Sequence, residues 1–427
     1  MIAYHSFSRY AWVLLTPLLF LTMGCVKDDT PQIEWVGINE CWVSPLWGTN
    51  TPRFVRQSDG TVWILGFEGD YPESETVIYR RDNKQGWSEA NRIQGCYQPS
   101  VILLDEDENL HLLTNSQYAP VRHIKGVWDG DSLRLETIAT AKWVDDGRGW
   151  YLGAGIVQDK VYVAYVSLDY DFWLTWKSLG EDTWAEPVLL YDGFVDPDGN
   201  HAMLYPRFYF SEESAYIMAS HTSDGSTYNF KDGVYLYSFE LKNPGQVTQE
   251  AVWAGRKGYG AYGFDMLINK DQDLVVAYAS GRHYYGDVDS SIGQSGLYVG
   301  RRGIKQSPRR WQRSSLISEG GFLSLSQDES GGLFAFSTSA TYKSGKFQVY
   351  QSKDYGYSWK LNQGQSNPNL SDSVAVWAGM QVLMLGASPI SQGDEFPIYF
   401  ANLLADTSAE GLKRYRLGYL EWQTQDE

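Results

Sequence analysis

The chain repeats one pattern of hydrophobic and polar positions along most of its length. Each copy has a hydrophobic segment, a polar turn, and a second segment rich in Val, Leu, Tyr and Trp. Apolar residues nearly alternate in some segments, as in residues 61–65, and form continuous runs in others. Alternation predicts half-buried strands, and continuous runs predict strands covered on both faces. We find no convincing amphipathic helix in the sequence, so the pattern predicts an all-β fold.

Seven copies of this pattern follow one another, the seventh weaker than the rest. Their turn centres are Asp59, Asp107, Asp159, Glu212, Asp271, Asp328 and Gly379. The mean spacing is roughly 53 residues, the order expected for one four-stranded propeller blade. Several hairpins are followed by a third strand and a Trp-bearing fourth strand. The prediction is a single β-propeller of seven four-stranded antiparallel blades, with six blades as the alternative.

The last hydrophobic segment, residues 414–423, predicts one more strand. We expect it to pair with the segment near residues 33–36 and so to close the ring. Closure of this kind removes the exposed edges that an open sheet would present.

The N-terminus predicts export. A short apolar run follows Arg9, and it is interrupted by Pro17 and too short for a permanent membrane span. It predicts a signal peptide over residues 1–24. The following Gly24-Cys25 resembles a bacterial lipobox, although Thr22 stands where Leu is usual. The alternative is an ordinary secreted protein.

The lipobox resemblance implies that Cys25 is lipidated and becomes the new N-terminus. Residues 25–32 would then be a polar, acidic tether, and residues 33–427 the propeller. Acidic tethers of this kind resemble those of lipoproteins on the outer surface of the cell. The expected location is therefore the cell outer membrane, with the protein lipid-anchored and surface-exposed.

The negative net charge limits the classes of partner that the protein is expected to bind. The formal net charge is −17, and such a chain repels nucleic acid and anionic lipid at long range. We therefore expect no nucleic-acid partner, membrane contact only through the lipid, and a monomer. An anionic substrate would need a local cluster of basic residues.

Cysteines and acidic loops leave two questions open. Cys41 and Cys96 could pair in an oxidising compartment or remain buried thiols. No Cys/His metal site is apparent and no cofactor is expected. A structural divalent cation is conceivable at residues 196–199 or 287–289, which are predicted first of all as turns.

One motif is specific to a class of propeller. Residues 352–359 have the Asp-box pattern Ser-x-Asp-x-Gly-x-Ser-Trp. The chain here resembles the BNR/Asp-box propellers, which include sialidases and several polysaccharide-degrading enzymes. Asp354 is expected to bond the turn between the third and fourth strands of a blade. Gly356 permits positive φ there, and Trp359 packs between blades. The motif indicates the fold rather than the chemistry.

Propeller topology selects the candidate site. The loops leading into the first strand and joining the second and third strands lie at one end of a propeller, where ligands usually bind. Residues 205–208, Tyr-Pro-Arg-Phe, are similar to a segment of ulvan-lyase-like propellers from polysaccharide-utilisation systems. The candidate catalytic residues are Tyr205, Arg207, His221 and His283. The candidate substrate-binding residues are Arg53, Tyr97, Gln117, His201, Arg282 and Tyr284.

These residue types suit β-elimination from a uronic acid. A lyase must neutralise the sugar carboxylate, remove the proton at C5 and protonate the leaving oxygen, tasks for Arg, His and Tyr. The ulvan-lyase-like propellers are expected to carry two histidines where this chain has Tyr97 and Gln117, so their base or neutraliser is missing here. The sequence predicts an enzyme acting on an acidic polysaccharide, foremost a polysaccharide lyase.

Three alternatives remain at this point. One is a glycoside hydrolase on the same fold, rhamnosidase-like or sialidase-like. Against a sialidase, the usual Arg-Ile-Pro segment is replaced by Thr51-Pro52-Arg53-Phe54. The second is a non-catalytic glycan-binding lipoprotein, and the third an interaction propeller without a sugar ligand. Fold alone does not separate them.

Overall fold

A computed structural model of the chain describes residues 32–42, 52–70, 73–82, 86–116, 119–141, 150–167, 171–193, 201–223, 233–254, 260–281, 296–305, 310–313, 323–338, 347–362, 384–387, 395–407 and 411–423. These residues form seven four-stranded antiparallel sheets and contain no helix. Each sheet is one blade, so the predicted seven-bladed propeller is confirmed.

The first strand of the chain is β1 (Glu34–Cys41), and it does not belong to blade 1, which follows it in the sequence. The strands of blades 1 to 3, from innermost to outermost, are β2 (Phe54–Arg56), β3 (Val62–Glu68), β4 (Glu75–Asp82), β5 (Gly86–Gln94); β6 (Val101–Leu104), β7 (Leu110–Ser116), β8 (Ala119–Trp128), β9 (Leu133–Thr140); β10 (Trp150–Val157), β11 (Lys160–Val166), β12 (Phe172–Ser178), β13 (Val188–Tyr191).

The later blades follow the same order. The strands of blades 4 to 6, again from innermost to outermost, are β14 (His201–Phe210), β15 (Ser214–Ser223), β16 (Gly233–Glu240), β17 (Thr248–Ala254); β18 (Gly260–Ile268), β19 (Asp273–Gly281), β20 (Gly296–Gly303), β21 (Gln312–Arg313); β22 (Leu323–Gln327), β23 (Leu333–Thr338), β24 (Phe347–Ser352), β25 (Lys360–Leu361). Blade 7 contains β26 (Met384–Ala387), β27 (Glu395–Thr407) and β28 (Lys413–Gln423), with β1 as its outermost strand.

The first strands of the blades lie at the centre of the ring. Contacts run from β2 to β6, β6 to β10, and onward through β14, β18, β22 and β26. Each first strand enters from one end of the ring, which we call the front end. The second strand returns to it, the third leaves it, and the fourth ends there. The opposite end, where the hairpins between first and second strands lie, is the back end.

The ring closes through the two ends of the chain. β1 pairs antiparallel with β28, with Asn39 opposite Tyr415. Glu34 of β1 accepts hydrogen bonds from Arg81 of blade 1, and Tyr399 of blade 7 donates one to the Leu65 carbonyl at 2.8 Å. The predicted pairing of the segment near residues 33–36 with residues 414–423 is therefore confirmed.

The hydrophobic core lies between neighbouring blades. Phe334 of blade 6, for example, contacts Phe396 of blade 7 with ring centroids 4.7 Å apart, and Trp422 packs on both. Burying a side chain of this size contributes about 2–3 kcal/mol. This arrangement explains the continuous apolar runs of the sequence, because each sheet is covered on both faces.

The seventh repeat is the one that the sequence pattern misplaced. The pattern predicts a hairpin centred on Gly379, so that the hydrophobic segment after this glycine would be a second strand. Instead β26 (Met384–Ala387) is the first strand of blade 7, and its partner is β27. The error has a physical reason, since β1 supplies the outermost strand and the other strands of this blade shift forward by one position. Gly379 itself lies outside the described residues.

Cys41 and Cys96 are both buried free thiols, which answers the question left open by the sequence. Among the residues that the structure describes, no helix is long and apolar enough to cross a membrane. The same residues contain no group of three or more His, Cys, Asp or Glu side chains placed to hold a metal ion.

Candidate functional site

Blade 4 carries four of the residues selected from the sequence. His201, Tyr205 and Arg207 lie on its innermost strand, β14, and His221 lies near the front end of β15. The register pairs His201 with Ser223 and Arg207 with Met218. The side chains of His201 and Tyr205 lie outside the described part of the structure, so their roles stay predictions.

Arg207 makes a buried ion pair within the ring of first strands. Its Nε lies 3.2 Å from Oδ1 of Asp265 on β18, and both side chains are at most one-tenth exposed. Asp265 also accepts hydrogen bonds from the backbone N–H groups of Met266 and Leu325, both at 2.9 Å. Burial raises the pKa of Asp265, and the Arg207 charge opposes that rise. The pair links the first strands of blades 4, 5 and 6.

Arg207 and His221 lie on opposite faces of blade 4. Arg207 is opposite Met218, whose side chain packs among the residues between blades 4 and 5. His221 follows Ile217 and Ala219 in alternation, and these pack among the residues between blades 3 and 4. Because successive strand residues point to opposite faces, the structure does not bring Arg207 and His221 together.

His221 instead belongs to an aromatic cluster at the front end between blades 3 and 4. Its Nε2 lies 3.4 Å from the hydroxyl oxygen of Tyr191, at the end of β13. The two ring centroids are 5.0 Å apart, and the ring of Tyr235 lies 6.1 Å from that of His221. His221 is only 1% exposed, whereas Tyr191 and Tyr235 are half-buried. We call these three residues the tyrosine–histidine cluster.

Tyr191 is a half-buried member of this cluster with an ionisable hydroxyl. Burial raises the pKa of its hydroxyl, and the neighbouring Tyr235 and Asp192 raise it further. Tyr191 is therefore a protonated hydroxyl at neutral pH, held beside an imidazole. Such a group can donate a proton to a leaving oxygen.

Sequence reasoning missed Tyr191 and Tyr235. The candidate residues predicted from the sequence belong to the loops that lead into first strands and that join second to third strands. Tyr191 ends a fourth strand and Tyr235 starts a third strand, and both of those positions also lie at the front end. Taking all four strand ends into account would have found them.

Tyr151 stands next to this cluster in an uncommon backbone conformation. It lies at the start of β10 with φ 48°, and it packs on the same buried residues as Tyr191 and Tyr235. Its N–H donates a hydrogen bond of 2.9 Å to Oε1 of Gln98, in the loop leading into blade 2. A left-handed non-glycine residue costs free energy and persists only where the surrounding structure enforces it, as it often does at functional sites.

Tyr97 lies at the front end as predicted, in contact with an aromatic partner. Its ring centroid is 5.6 Å from that of Trp42, with the planes tilted by 42°. The Tyr97 N–H donates to the Asn115 carbonyl at 2.9 Å. Both rings are half-buried, an exposure suited to stacking on a sugar ring. The substrate-binding role of Tyr97 stays a prediction.

Arg53 lies between the first strands of blades 1 and 2. Its Nη1 donates to the Ser100 carbonyl, and the residue is 5% exposed. Burial lowers the pKa of Arg53 to about 9, so the guanidinium stays charged at neutral pH. Arg53 therefore joins blades 1 and 2 through Ser100. Its role in binding substrate stays a prediction.

The remaining predicted positions lie outside the described residues. They are Cys25, Gln117, Arg282, His283 and Tyr284, together with the two acidic loops at residues 196–199 and 287–289.

Solved structures with this fold include carbohydrate-active enzymes. An ulvan lyase of polysaccharide lyase family PL25, bound to -[GlcA(1-4)Rha3S]-, is 12% identical, covers 90% of this chain and 95% of its own, and has a TM-score of 0.62. The polysaccharide lyase Uly1 is 10% identical, covers 87% of this chain and 90% of its own, and has a TM-score of 0.54. At these identities the likeness establishes the propeller fold. No protein-family model and no curated protein matches the sequence.

Proposed function

We propose that this protein cleaves an acidic, uronic-acid-containing polysaccharide by β-elimination at the front end of the propeller. The observation that carries the proposal is the pair formed by Tyr191 and His221, with a hydroxyl of raised pKa 3.4 Å from an imidazole nitrogen. A second support is that two lyases share this fold over most of the chain.

In this proposal Tyr191 is the catalytic acid and His221 positions it. The proton at C5 of the uronate leaves, the bond from C4 to the glycosidic oxygen breaks, and a double bond forms between C4 and C5. Tyr191 donates its proton to the departing oxygen. His221 holds the hydroxyl and can return a proton to it. For the two other tasks we propose that Arg282, a candidate substrate-binding residue, neutralises the carboxylate and that His283, a candidate catalytic residue, accepts the C5 proton.

The test is to follow the ultraviolet absorbance of the unsaturated uronate product while the protein is incubated with ulvan, polygalacturonate and alginate. Tyr191→Phe keeps the ring and removes the proton donor, so the rate should fall by about 100-fold or more. Tyr216→Phe is the matched control, since Tyr216 lies on the same strand as His221 but packs toward blade 5. It should retain the parent rate.

Each outcome separates the alternatives. Release of reducing sugar without the absorbance rise would identify a glycoside hydrolase on the same fold. A parent protein that produces neither signal is not an enzyme for these substrates. An absorbance rise that survives Tyr191→Phe would place the chemistry elsewhere on the front end.

A glycan-binding role without catalysis is the second candidate. The observation that favours it is the contact between Trp42 and Tyr97, two half-buried rings at the front end. Aromatic faces of this kind stack on sugar rings without any catalytic group. Binding that is lost in Trp42→Ala, in a protein with no cleavage activity, would support this candidate.

We also propose that the chain is exported, lipidated at Cys25 and held as a monomer at the surface of the cell outer membrane. The support is the short apolar run followed by Gly24-Cys25 and an acidic tether. Metabolic labelling with a radioactive fatty acid should mark the parent chain but not Cys25→Ser. Equal labelling of both would contradict the proposal.

A further inference from the structure

Exposed aromatic side chains are concentrated in one turn at the back end of blade 6. Among the described residues, the exposed large hydrophobic side chains are Ile38, Val127, Leu189, Tyr355, Tyr357 and Leu361. Half of these lie in the Asp-box turn and the short strand after it. Tyr357 is the most exposed, at 57%. Apolar side chains exposed singly need no explanation, but a cluster on one turn does.

The Asp-box turn is held rigidly from inside. Oδ1 of Asp354 accepts hydrogen bonds from the Ser352 hydroxyl at 2.7 Å and the Ser358 N–H at 2.8 Å. The Ser352 hydroxyl also accepts a bond from the N–H of Gly356, at 2.8 Å. Gly356 has φ 96°, as the motif predicted. Side chains on a fixed turn lose little conformational entropy when they bind a ligand.

Tyr357 is backed by a buried cation. The guanidinium carbon of Arg301, from blade 5, lies 3.6 Å from the Tyr357 ring centroid. Arg301 is itself 8% exposed and ion-paired with Asp273, so its position is set by blade 5. One face of the Tyr357 ring therefore rests on the protein, while most of the side chain is open to solvent.

Tyr355 is oriented by the neighbouring blade as well. Its backbone is left-handed, with φ 58°, and its carbonyl accepts a hydrogen bond of 3.1 Å from Nδ2 of Asn269. The ring lies against Gly331, where an added Cβ would be 3.5 Å from the Tyr355 Cε1. The two tyrosines are thus presented by contacts with both blade 5 and the adjacent hairpin of blade 6.

Two basic residues lie next to these tyrosines in the sequence. Lys353 and Lys360 flank the tyrosines and are exposed, in a protein with a net charge of −17. Two exposed cations within a few residues of two oriented aromatic rings suit a ligand with apolar ring faces and negative groups. A uronic-acid polysaccharide has both, because its pyranose C–H faces stack on aromatic rings and its carboxylates pair with lysine.

We propose that Lys353, Tyr355, Tyr357 and Lys360, which we call the back-end platform, form a second carbohydrate-binding site for a uronic-acid-containing polysaccharide. The choice of ligand class rests on the proposed function. The platform lies at the opposite end of the ring from the tyrosine–histidine cluster. It would hold one stretch of a long polymer while another stretch occupies the front end.

Affinity electrophoresis of the full chain in native gels containing ulvan, polygalacturonate or alginate tests the platform directly. At least one of these polymers should retard the parent protein. The double variant Tyr355→Ala/Tyr357→Ala should weaken that apparent affinity by about five- to tenfold. Tyr357→Phe should bind like the parent, because stacking needs the ring and not the hydroxyl. Lys353→Gln/Lys360→Gln should weaken binding and reduce its dependence on salt.

Leu189→Ala is the matched control, since it removes an exposed apolar side chain of 44% exposure from blade 3. It should bind like the parent. Thermal unfolding of every variant checks that the propeller remains folded, and if the double variant does not fold, Tyr357→Ser replaces it. Unchanged retardation of a folded variant without these rings would overturn the inference, as would a parent protein retarded by none of the three polymers.

Failure of this inference and failure of the proposed function give different results. Tyr191→Phe, which should slow cleavage by about 100-fold or more, should leave retardation by the platform intact. If the parent cleaves no polymer but its retardation depends on Tyr355 and Tyr357, the platform stands and the lyase proposal fails. If the parent cleaves a polymer but its retardation does not depend on Tyr355 and Tyr357, the lyase proposal stands and the platform proposal fails.

Discussion

At the scale of single residues, the least expected feature is a chain of ionisable groups in blade 2 that contains two buried histidines. Oδ2 of Asp105 lies 3.1 Å from Nε2 of His111, and Nδ1 of His111 lies 2.8 Å from Nε2 of His123. Both histidines are at most 2% exposed. His111 lies on β7 and His123 on β8, the second and third strands of the blade.

These hydrogen-bonded groups of blade 2 predict that the stability of the protein depends on pH. Burial lowers the pKa of His123 to about 3, from an ordinary value of 6.5, and the positive charges of Lys177 and His111 lower it further. Burial also lowers the pKa of His111, and the positive charges of Lys125 and Lys177 lower it further. The neighbouring Asp105 carboxylate acts in the opposite direction and raises the pKa of His111. A folded-state pKa below the unfolded value means that His123 stabilises the fold fully above about pH 6.5. The contribution is lost as the pH falls from there toward 3.

The expected loss for His123 is about 2 kcal/mol of unfolding free energy between roughly pH 7 and pH 5. Urea unfolding followed by tryptophan fluorescence at both pH values measures it. His123→Gln removes the titrating group, so its stability should fall less over the same interval. An equal decrease in parent and variant would show that His123 is not responsible.

At the scale of structural elements, the innermost strands approach one another so closely that some positions admit only glycine. A Cβ added to Gly153 on β10 would overlap the Pro206 carbonyl oxygen on β14. The same strands carry Tyr151 and the candidate residues Tyr205 and Arg207. The distance between blades 3 and 4 is therefore set by a residue that carries no side chain.

Gly153→Ala should destabilise the protein by about 2 kcal/mol or more, because the backbone of β10 or β14 must move. Gly180→Ala is the matched control, since nothing lies within 4 Å of its added Cβ. It should leave stability within about 0.5 kcal/mol of the parent. Chemical denaturation compares the three proteins. Equal stability of Gly153→Ala and the parent would show that the two strands can separate at no cost.

At the scale of the whole molecule, the ring is held closed by a strand from the start of the chain. Trp35 on β1 contacts the Phe400 ring, with centroids 5.9 Å apart, and the guanidinium of Arg416 lies 3.8 Å from the Trp35 ring. Arg81 of blade 1 pairs with Glu34 of β1 and Glu421 of β28. Blade 7 and its junction with blade 1 thus depend on residues nearly 400 positions apart in the sequence.

Trp35→Ala should lower the unfolding free energy by about 2–3 kcal/mol, because it removes a partly buried aromatic ring from the closing strand. Unfolding should remain a single transition, since an opened ring exposes the edges of two blades. Ile38→Ala on the same strand, where the side chain is 46% exposed, should have little effect. Thermal unfolding measures both. A Trp35→Ala protein as stable as the parent would show that β1 adds nothing to closure.

The sequence by itself determined the seven-bladed fold and the pairing that closes it. Strand periodicity and repeat spacing are local properties, and they do not depend on how the blades face one another. The Asp-box turn was predictable for the same reason, since Asp354, Gly356 and Ser358 bond within a few residues. The seventh repeat was misplaced because the strand that completes its blade comes from the other end of the chain.

Only the tertiary structure decided which polar residues meet. Arg207 and His221 are on paired strands of one blade, yet the register places them on opposite faces. Asp265 neutralises Arg207 across a blade boundary, and Tyr191 reaches His221 from another blade. Such contacts depend on blade packing and strand register, because a shift of one residue reverses the face that a side chain occupies.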